Sequence, residues 1–332
     1  MGDKSAIEWT NATWNPIAGC SVISPGCANC YAMKMASRLV GMGVETYAGL
    51  TKDSNAGPVW TGAVRLVKDA LLKPLRWKRP RRIFVNSMSD LFHEAVPDEW
   101  IDRIFAVMAL APQHTFQVLT KRADRMRAYL EDCRRQNGRQ HLIRAAITDL
   151  AGSRNAPGVT EAWLRISGAE ENWSPLRNVW LGVSAEDQTR ANERIPDLLA
   201  TPAAVRWVSA EPLLGPIDFM RINRPAPLGS MSALLCEEDQ RAWLNWIVVG
   251  GESGPGARPM HPDWARSIRD QCATAGVPFF FKQWGNYLPA GQCMADGRPW
   301  SPVGGPSLHA VKALTGRLLD GVEHNQYPGA SK

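Results

Sequence analysis

The chain has 332 residues, 45% hydrophobic and 21% charged, a composition that supports a large folded core and excludes a disordered or low-complexity protein. Lys and Arg number 38 against 32 Asp and Glu, and the net charge of +6 favours polyanionic partners such as nucleic acid without requiring them. No run approaches the ~18 apolar residues of a membrane span, Met1-Gly2-Asp3-Lys4-Ser5 carries no apolar signal region, and the seven cysteines are too unevenly placed for a disulfide framework, so a reducing cytoplasm is the expected location.

Ile7 to Thr10 predicts a short first strand, which Thr13-Trp14 would extend. Cys20, Cys27 and Cys30 follow at Cys-x6-Cys-x2-Cys spacing on a loop containing Gly19, Pro25 and Gly26, and a helix is expected from Tyr31 to Leu39. Such a loop can wrap its thiolates around one centre. Four thiolates would close a zinc site or an iron–sulfur cluster, whereas three leave a metal position open for a substrate or cofactor. Residues 41–62 predict a surface excursion, and Leu66, Ala70, Leu71 and Leu75 predict a helix over 65–77 that Pro80 stops.

From Arg82 onward short apolar strands ending in polar residues alternate with amphipathic helices. The strands are Arg82 to Asn86, Phe116 to Leu119, Val179 to Val183, Val205 to Val208, Trp246 to Val249 and Val277 to Phe281. The helices are expected from Pro97 or Asp98 to Ala109, through Cys133, from Thr189 to Leu199 and from Pro262 to Ala275. Seven near-continuous apolar strands, counting the first, belong to a parallel sheet covered on both faces. The fold class expected is therefore α/β, an incomplete (open) parallel β/α barrel over residues 1–285 with insertions at about 138–175 and 221–244. Residues 286–332 are expected to form an irregular C-terminal extension.

Right-handed crossovers would carry every strand's C-terminal end to one rim. The cysteine loop would share that rim with Asn86, Ser87, Asp90, Thr120, Lys121, Ser184, Glu186, Ser209, Glu211, Glu252, Lys282 and Gln283. A polar residue after a strand is also the usual helix cap, so Glu186, Glu211 and Glu252 are open to either role. Trp14, Trp284 and Trp300 are candidates to stack a base, and Lys78-Arg79-Pro80-Arg81-Arg82 and Arg134-Arg135 are candidates to meet phosphate. Cys133, Cys236, Cys272 and Cys293 are expected as buried or incidental thiols.

The motifs Trp14-Asn15-Pro16, Gly19-Cys20, Ser24-Pro25-Gly26-Cys27, Asn29-Cys30-Tyr31-Ala32, Asn86-Ser87-Met88-Ser89-Asp90-Leu91-Phe92, Leu119-Thr120-Lys121-Arg122, Gly182-Val183-Ser184 and Val249-Gly250-Gly251-Glu252-Ser253-Gly254 recur in an order that resembles the radical SAM superfamily, and more narrowly a phage-associated branch of it. The superfamily's commonest spacing is Cys-x3-Cys-x2-Cys with an aromatic residue before the last cysteine. Here six residues separate the first pair, Asn29 precedes Cys30, and Tyr31 follows it.

The resemblance implies a 4Fe-4S cluster on Cys20, Cys27 and Cys30, whose fourth iron is chelated by S-adenosyl-L-methionine. An electron from an external donor such as a flavodoxin would then cleave the sulfonium to methionine and a hydrogen-abstracting adenosyl radical. It also implies that Ser87, Ser89 and Asp90 meet the methionine amino group, that Lys121 neutralises its carboxylate, and that Ser184 and Glu186 hold ribose or carboxylate. Glu211 or Glu252 would bind ribose or substrate, and Gly250-Gly251 would let backbone approach a ligand. The substrate so implied is DNA or a modified nucleotide, concretely a glycinyl-type thymidine adduct isomerised in phage DNA hypermodification. The same residues allow a small molecule, free nucleotide or peptide as substrate, or a non-catalytic zinc-binding nucleic-acid module with a fourth ligand such as His93.

Overall fold

The apolar runs become strands in a computed structural model that describes residues 5–55, 57–135, 138–167, 174–224, 227–235, 244–300 and 307–329. β1 (Ala12–Trp14), β2 (Arg82–Val85), β3 (Thr115–Thr120), β4 (Val179–Ser184), β5 (Val205–Ala210), β6 (Trp246–Gly250) and β7 (Phe279–Gln283) are hydrogen-bonded in chain order as one sheet. The longer helices are α1 (Tyr31–Gly41), α2 (Asp98–Leu110), α3 (Ala123–Arg134), α4 (Gln140–Ala151), α5 (Val159–Ser167), α6 (Gln188–Ala200) and α7 (Pro262–Ala275). The fold is α/β, as the alternation implied.

The chain divides into two compact units. The first takes in residues up to Val22, Ala32–Leu181 and Ala200–Ala204; the second takes in Ile23–Tyr31, Gly182–Leu199 and the chain from Val205 on.

In the first unit β1 and β2 run parallel with Ala12 opposite Ile83 and Trp14 opposite Val85, and β2 and β3 run parallel with Ile83 opposite Phe116. Ile83, Val85, Phe116 and Val118 are fully buried, as a sheet covered on both faces requires. α2 begins after Pro97 with Asp98 and Glu99 in its first turn, where acidic charge suits the helix dipole, and it buries Ile101, Ile104, Phe105, Val107 and Met108. α4 and α5 fill much of the expected 138–175 insertion and pack on α2.

Two expectations fail in this unit for identifiable reasons. Residues 7–10 form a turn, closed by Thr10 N–H donating to the Ile7 carbonyl at 3.2 Å, so the first strand starts at Ala12. The expected helix over 65–77 breaks up. Arg65–Leu66 pairs antiparallel with Ile17–Ala18, and two single turns follow, Lys68–Leu71 and Lys73–Arg76, separated at Leu72. Pro74 has no N–H to continue the first turn's hydrogen-bond ladder.

In the second unit β5, β6 and β7 are parallel, with Trp246 opposite Trp207 and Ile247 opposite Phe279. Every residue of β6 is buried. α7 has His261 as its N-cap, whose Nδ1 accepts from Asp263 N–H at 3.2 Å, with Pro262 at the first position. The outer edge of β7 is covered by the chain near Asn325, where Phe281 N–H donates to the His324 carbonyl and Gln326 N–H to the Phe279 carbonyl.

The C-terminal extension is more regular than expected: Tyr287–Pro289 pairs antiparallel with Ser307–His309. A second unforeseen hairpin joins Ile222–Asn223 to Ser230–Met231 within the 221–244 insertion. Cys236 and the acidic stretch of the insertion that follows it lie outside the described residues. Among the described residues no helix is long and apolar enough to cross a membrane.

Candidate functional site

In the first unit the exits of β1, β2 and β3 are tied together by side chains. Asn86 leaves β2 with φ of +59°, its N–H donating to the Trp14 carbonyl at 2.7 Å and its Oδ1 accepting from Ile17 N–H at 3.3 Å. It is 2% exposed, and its Nδ2 meets no partner among the described residues. Ser87 Oγ donates to Asn15 Oδ1 at 3.1 Å, and Ser89 Oγ to the Ile17 carbonyl at 2.9 Å. Gly19, with φ of +94°, lies so close to the Ala63 carbonyl that a Cβ would collide with it, which explains glycine immediately before Cys20.

Asp90 organises the start of the following turns. It accepts from Phe92 N–H, Thr120 Oγ1, Lys121 N–H and Arg122 Nη1. Arg122 is 5% exposed and also reaches Glu94 Oε1 at 2.8 Å, Ser21 Oγ at 2.6 Å and Cys20 Sγ at 3.9 Å. Burial works against its charge, but Asp90 and Glu94 outweigh that and hold the guanidinium's pKa above its ordinary value. Arg122 brings a cation to the cysteine loop, and the Lys121 backbone N–H donates to Asp90.

His93, considered as a zinc ligand, is committed at both ring nitrogens. Nδ1 accepts from Ala95 N–H at 3.1 Å, which leaves the proton on Nε2, 3.0 Å from Ser21 Oγ. Burial, then the Arg122 charge, pushes its pKa below the usual value, so the ring is neutral.

In the second unit the rest of the cysteine loop is held from beneath. Pro25–Cys27 form a single 3₁₀ turn in which Cys27 N–H donates to the Ser24 carbonyl, and Cys30 N–H then donates to the Cys27 carbonyl. Ser24 Oγ lies 3.7 Å from Cys27 Sγ. Gly26 N–H donates to Glu186 Oε1 at 3.1 Å, and Arg258 Nη2 donates to the Pro25 carbonyl at 3.0 Å. Asn29 Nδ2 donates to Glu252 Oε2 at 3.0 Å and to the Gly256 carbonyl at 2.7 Å.

The strand-end acids are therefore occupied by the protein itself. Glu186 is fully buried and paired with Arg194, whose Nη1 lies 2.9 Å from Oε2 and 2.8 Å from the Ser184 carbonyl. Glu252 accepts from Arg258 through Nε at 2.8 Å and Nη2 at 2.6 Å. Burial alone would raise its pKa, but Arg258 and then Asn29 hold the carboxyl below the usual range. Glu211 receives Lys282 Nζ at 2.6 Å, and a Cβ on Gly250 would stand 3.1 Å from the Glu211 carboxyl carbon. At Gly251 the close approach is to the chain's own Trp284 carbonyl, which a Cβ would strike.

Asn15, Asn29 and Arg122 sit inside motifs visible in the sequence, yet nothing there indicated what they bind. Arg194 and Arg258 had no sequence signal. Their partners are set by tertiary approach alone.

Among the described residues no group of three or more His, Cys, Asp or Glu is placed to hold a metal ion. In donor chemistry, however, the cysteine loop suits an iron–sulfur cluster. None of the described cysteines is disulfide-bonded, the Arg122 guanidinium lies 3.9 Å from Cys20 Sγ, and the Ser24 hydroxyl lies 3.7 Å from Cys27 Sγ. Asn86 Nδ2, buried and unpartnered, suits an acceptor group on a ligand. Cys133 and Cys272 do not share this chemistry, because burial pushes both thiols up, Cys272 to about 12.

A family model described as "Protein of unknown function (DUF5131)" matches residues 4–328. No curated protein and no solved structure matches the chain.

Proposed function

The chain belongs to the DUF5131 family of proteins of unknown function, and we propose that it is a radical SAM enzyme acting on a modified nucleobase. One observation carries the reading: a loop bearing cysteines is pinned along Pro25, Gly26 and Asn29 by Arg258, Glu186 and Glu252. A loop that merely connects two elements needs no buried carboxylates beneath it, whereas a ligand-bearing loop must be held within a fraction of an ångström.

In this reading Cys20, Cys27 and Cys30 hold a 4Fe-4S cluster and the open iron position takes S-adenosyl-L-methionine. When bound, these groups supply a hydrogen-abstracting adenosyl radical, with the electron drawn from an external donor such as a flavodoxin. Arg122 and Ser24 provide donors beside two of the thiolates. Asn86 Nδ2, Ser87, Ser89 and Lys121 bind the methionine end, with Asp90, committed to Thr120 and Arg122, holding the surrounding turns in place, while Ser184, Glu186, Glu211, Gly250, Gly251 and Glu252 shape the nucleoside end. Of these, Glu186 and Glu252 act through Gly26, Asn29 and Arg258 as positioning residues.

The substrate proposed is a glycinyl-type thymidine adduct in phage DNA. Moving its substituent from nitrogen to carbon linkage requires breaking an unactivated C–H bond, and on duplex DNA the base must leave the stack at a cost of about a few kcal/mol. An open-barrel curvature of the sheet and a cytoplasmic location belong to the same proposal.

Anaerobic reconstitution tests it. The expected result is about four iron and four sulfide per chain, cleavage of S-adenosyl-L-methionine to 5'-deoxyadenosine, and loss of both on Cys27→Ala. One zinc per chain with the sulfonium left intact would overturn it.

A further inference from the structure

We propose that the segment from Arg65 to Arg82 is a docking track for the phosphate backbone of DNA. It carries eight basic residues (Arg65, Lys68, Lys73, Arg76, Lys78, Arg79, Arg81 and Arg82) and one acid, Asp69. Eight less one is +7, against +6 for the whole chain, so the rest of the protein is net −1. The entire positive excess resides in one crossover connection.

Its course follows from the pairing. Arg65 stands opposite Ala18, two residues before Cys20, and Arg82 opens β2 at the far end of the strand, opposite Thr115. The segment thus runs within the first unit from beside the cysteine loop to the start of β2. Both ends are braced. Arg65 donates to the carbonyls of Glu45, Thr46 and Ala48, and the Arg81 guanidinium lies 4.8 Å from the Trp77 ring centroid.

Between the braces the charges are uncompensated. Lys68, Lys73, Arg76, Lys78 and Arg79 are exposed and form no ion pair with any described residue. The contrast with other arginines of this protein is sharp: Arg122, Arg139, Arg194, Arg258 and Arg266 each sit on a carboxylate. Cations spread along a strip rather than converging on a point fit a linear polyanion better than a small phosphate ester. A lipid surface would also need bulky apolar side chains to insert, and between Arg65 and Arg82 the only exposed large one is Leu75, at 36%.

The assignment of the polyanion as DNA rests on the proposed function; the track itself does not depend on the cluster. The test uses the full chain and a short random-sequence duplex over a range of salt. Lys73→Gln, Lys78→Gln and Arg79→Gln together are compared with the control pair Arg190→Gln and Arg298→Gln, whose guanidiniums already sit on Glu193 and Asp296. Wild-type affinity should fall steeply with salt. The triple variant should bind about tenfold or more weakly, with the slope of log affinity on log salt reduced by about 3, near 0.9 for each phosphate left unneutralised, while the control leaves both unchanged. Unchanged affinity and slope in the triple variant, an equal loss in the control, or wild-type binding to anionic phosphatidylglycerol vesicles but not to DNA would overturn the proposal. Iron content is measured on the same samples. A protein that never binds a cluster yet shows the expected loss refutes the radical reading and leaves the track standing; a cluster-bearing triple variant with wild-type DNA affinity does the reverse.

Discussion

Arg122 Nη1 lies 3.0 Å from Asp90 Oδ2, with both side chains under a tenth exposed, and the same guanidinium reaches Cys20 Sγ at 3.9 Å. A buried ion pair at the exits of β2 and β3 thereby touches the first cysteine of the loop. Removing one partner strands the other charge in a low-dielectric setting, so Arg122→Ala should cost about 3–5 kcal/mol of stability. Arg122→Lys keeps the charge but loses the fork that serves Asp90, Glu94 and Ser21 together, and should cost less. Urea denaturation midpoints check both. Equal stability of Arg122→Ala and wild type would remove the structural role.

Glu252 gives the protein a specific acid sensitivity. Its folded-state pKa is depressed, so its contribution is complete above the ordinary Glu value of 4.5 and is lost as pH falls through the folded pKa. Stability measured from pH 6 downward should therefore decline more steeply below about 4.5 in wild type than in Glu252→Gln, which has no carboxyl to titrate. Parallel curves for the two proteins would show that Arg258 and Asn29 do not hold the carboxylate.

The thiols should separate by environment. In reduced, cluster-free protein, alkylation followed by peptide mass spectrometry should label Cys20 and Cys30, which are partly exposed, well before Cys133 and Cys272. The latter two are fully buried, with pKa values raised by desolvation, and only thiolate reacts. Early labelling of Cys133 or Cys272 would contradict the packing of α3 or α7.

Asn86 offers a test of ligand binding independent of turnover. Asn86→Asp keeps the oxygen that accepts from Ile17 N–H and replaces the unpartnered Nδ2 donor with a negative charge. If that donor meets the carboxylate of S-adenosyl-L-methionine, equilibrium binding should weaken about tenfold or more, since a charged hydrogen bond is worth about 1.5–3 kcal/mol. Unchanged affinity would mean that the methionine end binds elsewhere.

Much of the framework was written in local pattern. Strands such as Trp246–Gly250 are apolar at nearly every position because both faces are covered, and Pro262 with Gly276 marks both ends of α7 within the sequence itself. The three cysteines and the polar strand ends were visible for the same reason, since residue type and spacing survive without coordinates. The helix over 65–77 failed because pairing of Arg65–Leu66 with Ile17–Ala18 and the missing N–H of Pro74 outweighed a helical period.

What tertiary structure alone decided is where the charges go. Glu186 and Glu252 looked available to a ligand, yet they accept from Gly26 and Asn29, chain neighbours of cysteines more than a hundred residues earlier. Arg194 and Arg258 complete those pairs, and Arg122 reaches the loop at Cys20. Periodicity reports which face of an element is buried, because burial follows the backbone repeat. The partner of a long charged side chain is chosen by whichever opposite charge the fold brings within about 3 Å, a distance no local pattern encodes.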